Sequence, residues 1–200
     1  QMRAMFDYQE PNGFIPDCIY RDTLIEPNNY RNTKSPLAAW AVWEIYKQNK
    51  DVNFIKEFYP KLKNYHTWWY KERDHDQDGL CEFGSTDGTL VAGKWESGMD
   101  NAVRFDNSKI LKNGEQAYSL DQESVDLNSF LYAEKNYLAK MAKVLKLVNE
   151  EKIWTKESAK LKNQIQTQFW DAKTGWFYDT SIDGKNFIKE EIDSKNQLIF

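Results

Sequence analysis

Apolar residues recur at helical spacing over long stretches of this sequence, and this periodicity restricts the fold more than any other feature. Large side chains share one face over residues 37–48 and again over residues 52–72, which predicts two long helices. Two more helices are predicted over residues 122–148 and 155–170. The sequence shows no strand-rich section and no alternation of strands with helices. It therefore predicts an all-α fold in which helical hairpins stack on one another.

Local signals refine these elements. Residues 33–36, Thr-Lys-Ser-Pro, are typical of a helix start with a hydroxyl N-cap and a proline in the first helical position. Pro60 lies inside the second helix and predicts a kink or a restart there. A short hairpin is predicted over residues 176–187, with Asp183 and Gly184 as its turn.

Residues 73–120 read mostly as loop, because glycines interrupt them repeatedly, and such long loops usually carry function. Near the start, alternate carboxylates precede Gly79, as in the first half of an EF-hand loop that turns its oxygens towards one hard cation. The predicted ligands are Asp74, Asp76, Asp78 and the backbone carbonyl of Leu80. The twelfth position should be glutamate but is Ser85, so a calcium site needs a carboxylate from elsewhere. The alternative is a hydrated polar turn.

The second candidate segment covers residues 95–106. It holds two carboxylates, Glu96 and Asp100, together with Trp95 and Arg104. These residue types suit glycoside hydrolysis, in which a carboxylic acid with a raised pKa protonates the leaving oxygen. Trp95 would stack on a sugar face, and Arg104 would bond hydroxyls or orient a carboxylate. The alternative is an irregular loop with a surface ion pair between Arg104 and one of the two carboxylates.

Other features argue against several classes of function. The chain carries 27 basic and 31 acidic residues, a net charge of −4, which does not suit a nucleic-acid binder. No apolar run approaches the roughly 18 residues that a membrane span needs. His66 is predicted to be a packed helical residue and His75 a loop residue. Cys18 and Cys81 lack the spacing of metal ligands.

The segment WESGMDNAVRFD, residues 95–106, resembles glycoside hydrolase family 63, which includes the processing α-glucosidase I and bacterial α-glycosidases. Further blocks resemble the same family in the same order: residues 32–40, with Ser35 in place of the first of two usual prolines, and residues 65–80, 82–85 and 122–127. The resemblance covers roughly residues 13–139, and the bacterial branch is the most similar.

This resemblance implies that the chain is part of an (α/α)6 toroid, a ring of six helical hairpins. It implies inverting hydrolysis of α-linked, chiefly α-glucosidic, oligosaccharides or disaccharides, with Asp100 as the general acid. Trp95, Glu96 and Arg104 would bind substrate by lining or bracing the sugar pocket. It also implies a structural Ca²⁺ and a monomer, with the metal ligands Asp74, Asp76, Asp78, Leu80, Glu82 and Glu123.

We expect residues 1–200 to be a fragment of a single toroidal catalytic domain, truncated at both ends. Met2, Met5 and Phe6 already have helical spacing, and residues 197–200 form an apolar tail without a stop signal. The family's general base is a glutamate in the C-terminal part of the toroid, and nothing after Asp106 matches its motif. These 200 residues alone are therefore expected to be inactive.

Two alternatives stay open. A trehalase or a mannosylglycerate hydrolase shares the Glu-Ser-Gly-x-Asp core of residues 96–100, although the flanking blocks favour family 63. A calcium-stabilised carbohydrate-binding helical domain without catalysis is the alternative from another class, and the presence of Asp100 argues against it. The compartment is open, although the bacterial relatives suggest the periplasm.

Overall fold

The computed structural model describes residues 1–189 and the backbone of residues 191–192 and 198–199. The predicted apolar tail, residues 197–200, lies outside the described residues except for the backbone of 198–199. The helices of the described part are α1 (Met2–Phe6), α2 (Ala38–Asn49), α3 (Val52–Glu72), α4 (Leu90–Glu96), α5 (Val125–Val144) and α6 (Val148–Gln168). The strands are β1 (Gly84–Ser85), β2 (Ile110–Lys112), β3 (Tyr118–Leu120), β4 (Gln122–Glu123), β5 (Trp170–Asp171), β6 (Trp176–Phe177), β7 (Thr180–Ser181), β8 (Glu191–Ile192) and β9 (Leu198–Ile199).

The long helices form two hairpins, α2–α3 and α5–α6, which confirms the helical organisation that the periodicity predicts. A left-handed residue, Lys50 with φ of 55°, ends α2, and the Asp51 side chain then caps α3 by accepting a hydrogen bond from the Asn53 N–H. Helix α5 packs along α6 and also contacts α2 and α3. The core between them is built from large side chains with no exposed surface, among them Phe58, Trp69 and Leu131.

The predicted start of α2 is wrong, and of the two outcomes predicted at Pro60 the restart does not occur. Helix α2 begins at Ala38 with Leu37 as its N-cap, so Pro36 is not its first residue, and the Ser35 hydroxyl instead faces the carbonyl of Ser97 at 3.3 Å. Helix α3 also runs through Pro60 without a restart. Because proline in a helix interior costs about 3 kcal/mol, the fully buried Phe58 and Leu62 must offset that loss by packing.

The predicted loop between α3 and α5 contains more regular structure than its sequence indicates. It holds α4, a 3₁₀ turn at Val103–Phe105 and an antiparallel sheet in the strand order β1-β3-β2. Gly84 of β1 pairs with Ser119, and a Cβ at position 84 would lie 1.8 Å from the Tyr118 carbonyl oxygen. Strands of two or three residues are too short to show an alternating pattern, so the sequence gives no signal for this sheet.

The hairpin predicted over residues 176–187 is confirmed in its second half. Asp183 and Gly184 lie in a turn closed by the bonds between Ser181 and Asn186, and Gly184 has a φ of +64°. Strand β6 pairs instead with β5, and β7 pairs with β4, which directly precedes α5. The segment after α6 therefore folds back against the N-terminus of α5, where the candidate residues lie.

Candidate active site

Glu96, the last residue of α4, is completely buried and fully engaged by hydrogen bonds. Its Oε1 accepts bonds from the Thr33 N–H at 3.1 Å and from Arg73 Nη2 at 3.0 Å. Its Oε2 accepts bonds from Arg73 Nε at 2.8 Å and from the Gly84 N–H at 2.6 Å. Burial raises the pKa of Glu96, and Arg73 opposes that shift. The Glu96 carboxylate braces three segments and has no exposed surface in the described part of the chain, and a contact with substrate stays a prediction.

Asp100 lies in a mostly exposed turn, residues 97–102, that follows α4, and its side chain is exposed. Gly98, with a φ of +71°, starts the turn, and the Ser97 hydroxyl accepts a bond from the Met99 N–H at 2.9 Å. The Met99 carbonyl then accepts a bond from the Ala102 N–H at 2.9 Å. Met99 also lines an apolar groove of about 600 Å³, together with the N-cap Leu37, Ala38 and Ala41 in the first turn of α2, and Phe130 of α5.

Trp95 is exposed, and the Arg31 guanidinium lies 5.3 Å from the centre of its ring. In this cation–π contact the guanidinium lies over the indole ring of Trp95. A role for Trp95 in stacking on a sugar stays a prediction.

Arg104 forms ion pairs with two carboxylates that come from other elements. Its Nη2 donates to Asp126 Oδ2 at 2.6 Å, and its Nη1 donates to Asp179 Oδ2 at 3.1 Å. The alternative of an ion pair from Arg104 to Glu96 or Asp100 is therefore wrong. Arg104 lines a cavity of about 860 Å³ whose wall also includes the aromatic residues Phe177, Tyr178 and Phe187.

Asp179 is a buried functional candidate that the sequence analysis missed. Besides Arg104, it accepts bonds from the Val125 N–H at 2.8 Å and from the Gln122 side chain at 3.2 Å. Burial raises the pKa of its carboxyl, and Arg104 opposes the shift. Asp179 lies 75 positions after Arg104, so no local spacing could have connected the two residues.

The aspartate-rich turn brings together carboxylates from two parts of the chain. Oxygens of Asp74, Asp76 and Asp78 lie within 4.8 Å of one another, and oxygens of Asp76, Glu82 and Glu123 form a second such group. Gly79, with a φ of +95°, makes the predicted sharp bend. Glu82 and Glu123 are buried, and one oxygen each of Asp74, Glu82 and Glu123 is buried without a hydrogen-bond partner in the described part of the chain.

The electrostatics of this acidic cluster favour a cation. Burial, followed by the charge of Asp78, raises the pKa of Asp74 to about 6 and that of Glu123 to about 8. Burial also raises the pKa of Glu82. Carboxylate oxygens are ligands that Ca²⁺ takes in proteins, and the unpartnered oxygens of Asp74, Glu82 and Glu123 could face it, so the residues fit the predicted ion. Glu123 accepts a further bond from the Thr180 hydroxyl, which ties the cluster to β7.

The two histidines contact other polar groups, and the His75 backbone N–H donates to Glu82 Oε2 of the acidic cluster at 3.0 Å. His66 is buried in α3, as predicted, with Nδ1 2.6 Å from Glu134 and Nε2 3.0 Å from the Lys135 ammonium. His75 Nδ1 lies 2.6 Å from the Asn113 side-chain oxygen. Among the described helices, none combines the length and apolar content that crossing a membrane requires.

The sequence matches the family model described as the mannosylglycerate hydrolase MGH1-like glycoside hydrolase domain over residues 1–194. Mannosylglycerate hydrolase of Thermus thermophilus is 27% identical over 126 residues, which cover 53% of this chain and 28% of that protein. Mannosylglycerate hydrolase MGH1 of Selaginella moellendorffii is 30% identical over 126 residues, which cover 54% of this chain and 24% of that protein. The matched segment thus spans about a quarter of these relatives.

Solved structures show the same fold. A GH63 mannosylglycerate hydrolase of Thermus thermophilus in complex with glucose superposes with a TM-score of 0.71 at 17% identity, covering 96% of this chain and 56% of that chain. The same enzyme in complex with Tris and D-glycerate gives a TM-score of 0.70 at 18% identity, covering 96% of this chain and 58% of that chain. The predicted fold class, part of an (α/α)6 toroid, is confirmed.

Proposed function

Because the chain belongs to the MGH1-like glycoside hydrolases of GH63, we propose that it carries the general acid of an inverting α-glycosidase, with Asp100 in that role. The observation that carries the proposal is the geometry of the turn. Asp100 is exposed in this turn, while Glu96 before it and Phe105 after it are fully buried. A general acid needs this combination of access to the leaving oxygen and a fixed position.

Inversion requires a second carboxylate about 6.5–9.5 Å from the acid, so that a water fits between the base and the sugar. We assign no residue of this chain to that role. Asp179 and Asp126 are not candidates, because both are paired with Arg104.

The proposed substrate is a small α-linked glycoside of the mannosylglycerate type, since the two curated relatives are named for that substrate. An α-glucosidic substrate is the second candidate. It is favoured by the sequence resemblance to α-glucosidases and by the relative whose structure is in complex with glucose.

The test is to follow the intact protein by proton NMR with α-mannosylglycerate, trehalose and α-linked glucose disaccharides. We expect the β-anomer of the released sugar to appear first, because inversion of an α-linkage gives a β-product. Initial release of the α-anomer would contradict inversion. Binding of these sugars without turnover would favour the carbohydrate-binding alternative.

We also propose that the acidic cluster binds Ca²⁺, held by carboxylate oxygens of Asp74, Asp76, Asp78, Glu82 and Glu123 and by the Leu80 carbonyl. When bound, the ion would supply positive charge to buried carboxylates that otherwise repel one another. Its role is structural, since the cluster joins the turn after α3 to β4, and β4 leads directly into α5.

Removing this calcium is expected to lower the melting temperature of the intact protein by about 5–10 °C. A ligand at 100 times its Kd stabilises by about 2.7 kcal/mol, and 1 kcal/mol corresponds to about 2–4 °C in a domain of this size. The measurement is a thermal melt with EGTA and with added calcium. Asp76→Asn should abolish the sensitivity to EGTA, whereas the matched variant Asp183→Asn, in the distant hairpin turn, should retain it. An unchanged melt without bound metal by elemental analysis would restore the hydrated-turn interpretation.

A further inference from the structure

The position of Asp100 is set by its backbone, because its carboxylate accepts no hydrogen bond from any residue of the described part. The turn that carries it, residues 97–102, is short and mostly exposed, and apart from the bond that the Ser97 carbonyl accepts from the Ser35 hydroxyl, its bonds join near neighbours. Such a turn holds a side chain in place only if the chain on each side of it is fixed.

An arginine–carboxylate pair fixes each side. Before the turn, Glu96 is bonded to Arg73 through both carboxylate oxygens, and both side chains are completely buried. After the turn, Arg104 bridges Asp126 at the start of α5 and Asp179 near β7. Phe105, the next residue, is also fully buried. We call these two groups the upstream clamp (Arg73, Glu96) and the downstream clamp (Arg104, Asp126, Asp179).

We propose that Glu96 and Arg104 are positioning residues that act on the reaction through Asp100, rather than substrate ligands; this rests on the proposed role of Asp100 as general acid. The chemistry of the downstream clamp supports it. One guanidinium faces two carboxylates, so the group has a net charge of −1 and does not attract an anionic aglycone. Both terminal nitrogens of Arg104 donate to these carboxylates, and its Nε is buried without a hydrogen-bond partner in the described part of the chain.

The clamps matter because proton transfer depends steeply on distance and angle. A displacement of about 1 Å at a reacting group can cost about 100-fold in rate, even when its cause lies away from the chemistry. A loosened clamp should therefore lower kcat and leave substrate affinity nearly unchanged. Substrates whose leaving group departs without a proton should not respond to the loss.

The test uses Arg104→Lys, which keeps the charge but loses the fork that bridges two carboxylates. On the preferred α-linked substrate we expect kcat to fall about 10- to 100-fold, with KM within about twofold. On the α-glycosyl fluoride of the same sugar, whose fluoride leaves unprotonated, kcat should stay within about threefold of the parent. Arg3→Lys is the matched control, because Arg3 also contacts a glutamate, Glu57, through two nitrogens but lies on α1.

A second variant, Glu96→Gln, and a double-mutant cycle between Arg104 and Asp100 separate a positioning role from other roles. Glu96→Gln keeps the shape but replaces one acceptor oxygen with an NH2 donor that faces the N–H groups of Arg73 and of Thr33 or Gly84, so it loosens the upstream clamp and should give the same selective loss. Arg104→Lys added to Asp100→Asn should cause no further loss, because the group it positions is gone. A raised KM with unchanged kcat would identify Arg104 as a substrate ligand, and equal losses on both substrates would indicate a general structural role; either result overturns the proposal. If Asp100→Asn itself keeps full activity on the α-linked substrate, the proposed function has failed first.

Discussion

Replacing Asp100 with asparagine is expected to lower kcat on an α-linked substrate by at least about 100-fold, the low end of the range for general acid catalysis. Asparagine keeps the size and shape of the side chain but has no proton to give to the leaving oxygen. Because Asp100 is exposed, the variant should fold and melt like the parent. The measurement is the initial rate of sugar release by the intact protein at saturating substrate, with a thermal melt alongside.

The matched control for this prediction is Asp106→Asn. Asp106 is also an exposed aspartate of residues 95–106, and it accepts a bond from the Lys94 ammonium at 3.2 Å. Its substitution should leave kcat within about twofold, because surface ion pairs of this kind contribute little. A near-normal rate for Asp100→Asn would remove Asp100 from the mechanism, and a comparable loss in both variants would point to the segment as a whole.

The helices could be predicted from the sequence because their signal is local and long. Helix α3 occupies Val52–Glu72, the predicted bounds, since its apolar residues repeat over more than five turns. Helices α5 and α6 differ from prediction by several residues at their ends, where no side-chain cap marks the first residue. The short strands had no comparable signal, because two or three residues do not establish a period of two.

The candidate site was predictable only where its residues are neighbours in sequence. Asp74, Asp76 and Asp78 follow a local pattern, and the structure brings their oxygens together. Glu123 entered only through the family resemblance, since it lies 45 positions after Asp78. Asp179 had no signal at all, because its contact with Arg104 depends on how the segment after α6 folds back onto α5. Long-range pairing of this kind follows from tertiary packing, which a single sequence does not display.

Glu96 shows that two residues of one short motif can lie in different environments. The sequence places it four residues before Asp100, which suggests a pocket residue, but helix geometry turns it inward from the end of α4. There it meets Arg73, whose guanidinium also lies 4.7 Å from the centre of the Trp68 ring. The motif thus joins one exposed carboxylate, Asp100, to one buried carboxylate, Glu96.

Arg73→Met is therefore expected to destabilise the protein by about 3–5 kcal/mol, the usual cost of removing one partner of a buried ion pair. Glu96 would keep its bonds from the Thr33 and Gly84 N–H groups but lose its countercharge in a fully buried position. Its pKa, already raised by burial, should rise further without Arg73. The measurement is urea unfolding of the variant and the parent.

The loss of stability in Arg73→Met should depend on pH in a defined direction. A carboxyl whose pKa is higher in the folded state than in the unfolded state favours folding at low pH, and that contribution is lost as the pH rises through the folded-state pKa. The defect of Arg73→Met should therefore be smaller at pH 5 than at pH 8. Adding Glu96→Gln should recover part of the loss at pH 8, because the orphaned charge is then removed. The exposed control Arg3→Met should change stability far less. Equal defects at both pH values would show that lost packing on Trp68, rather than the unpaired charge, dominates.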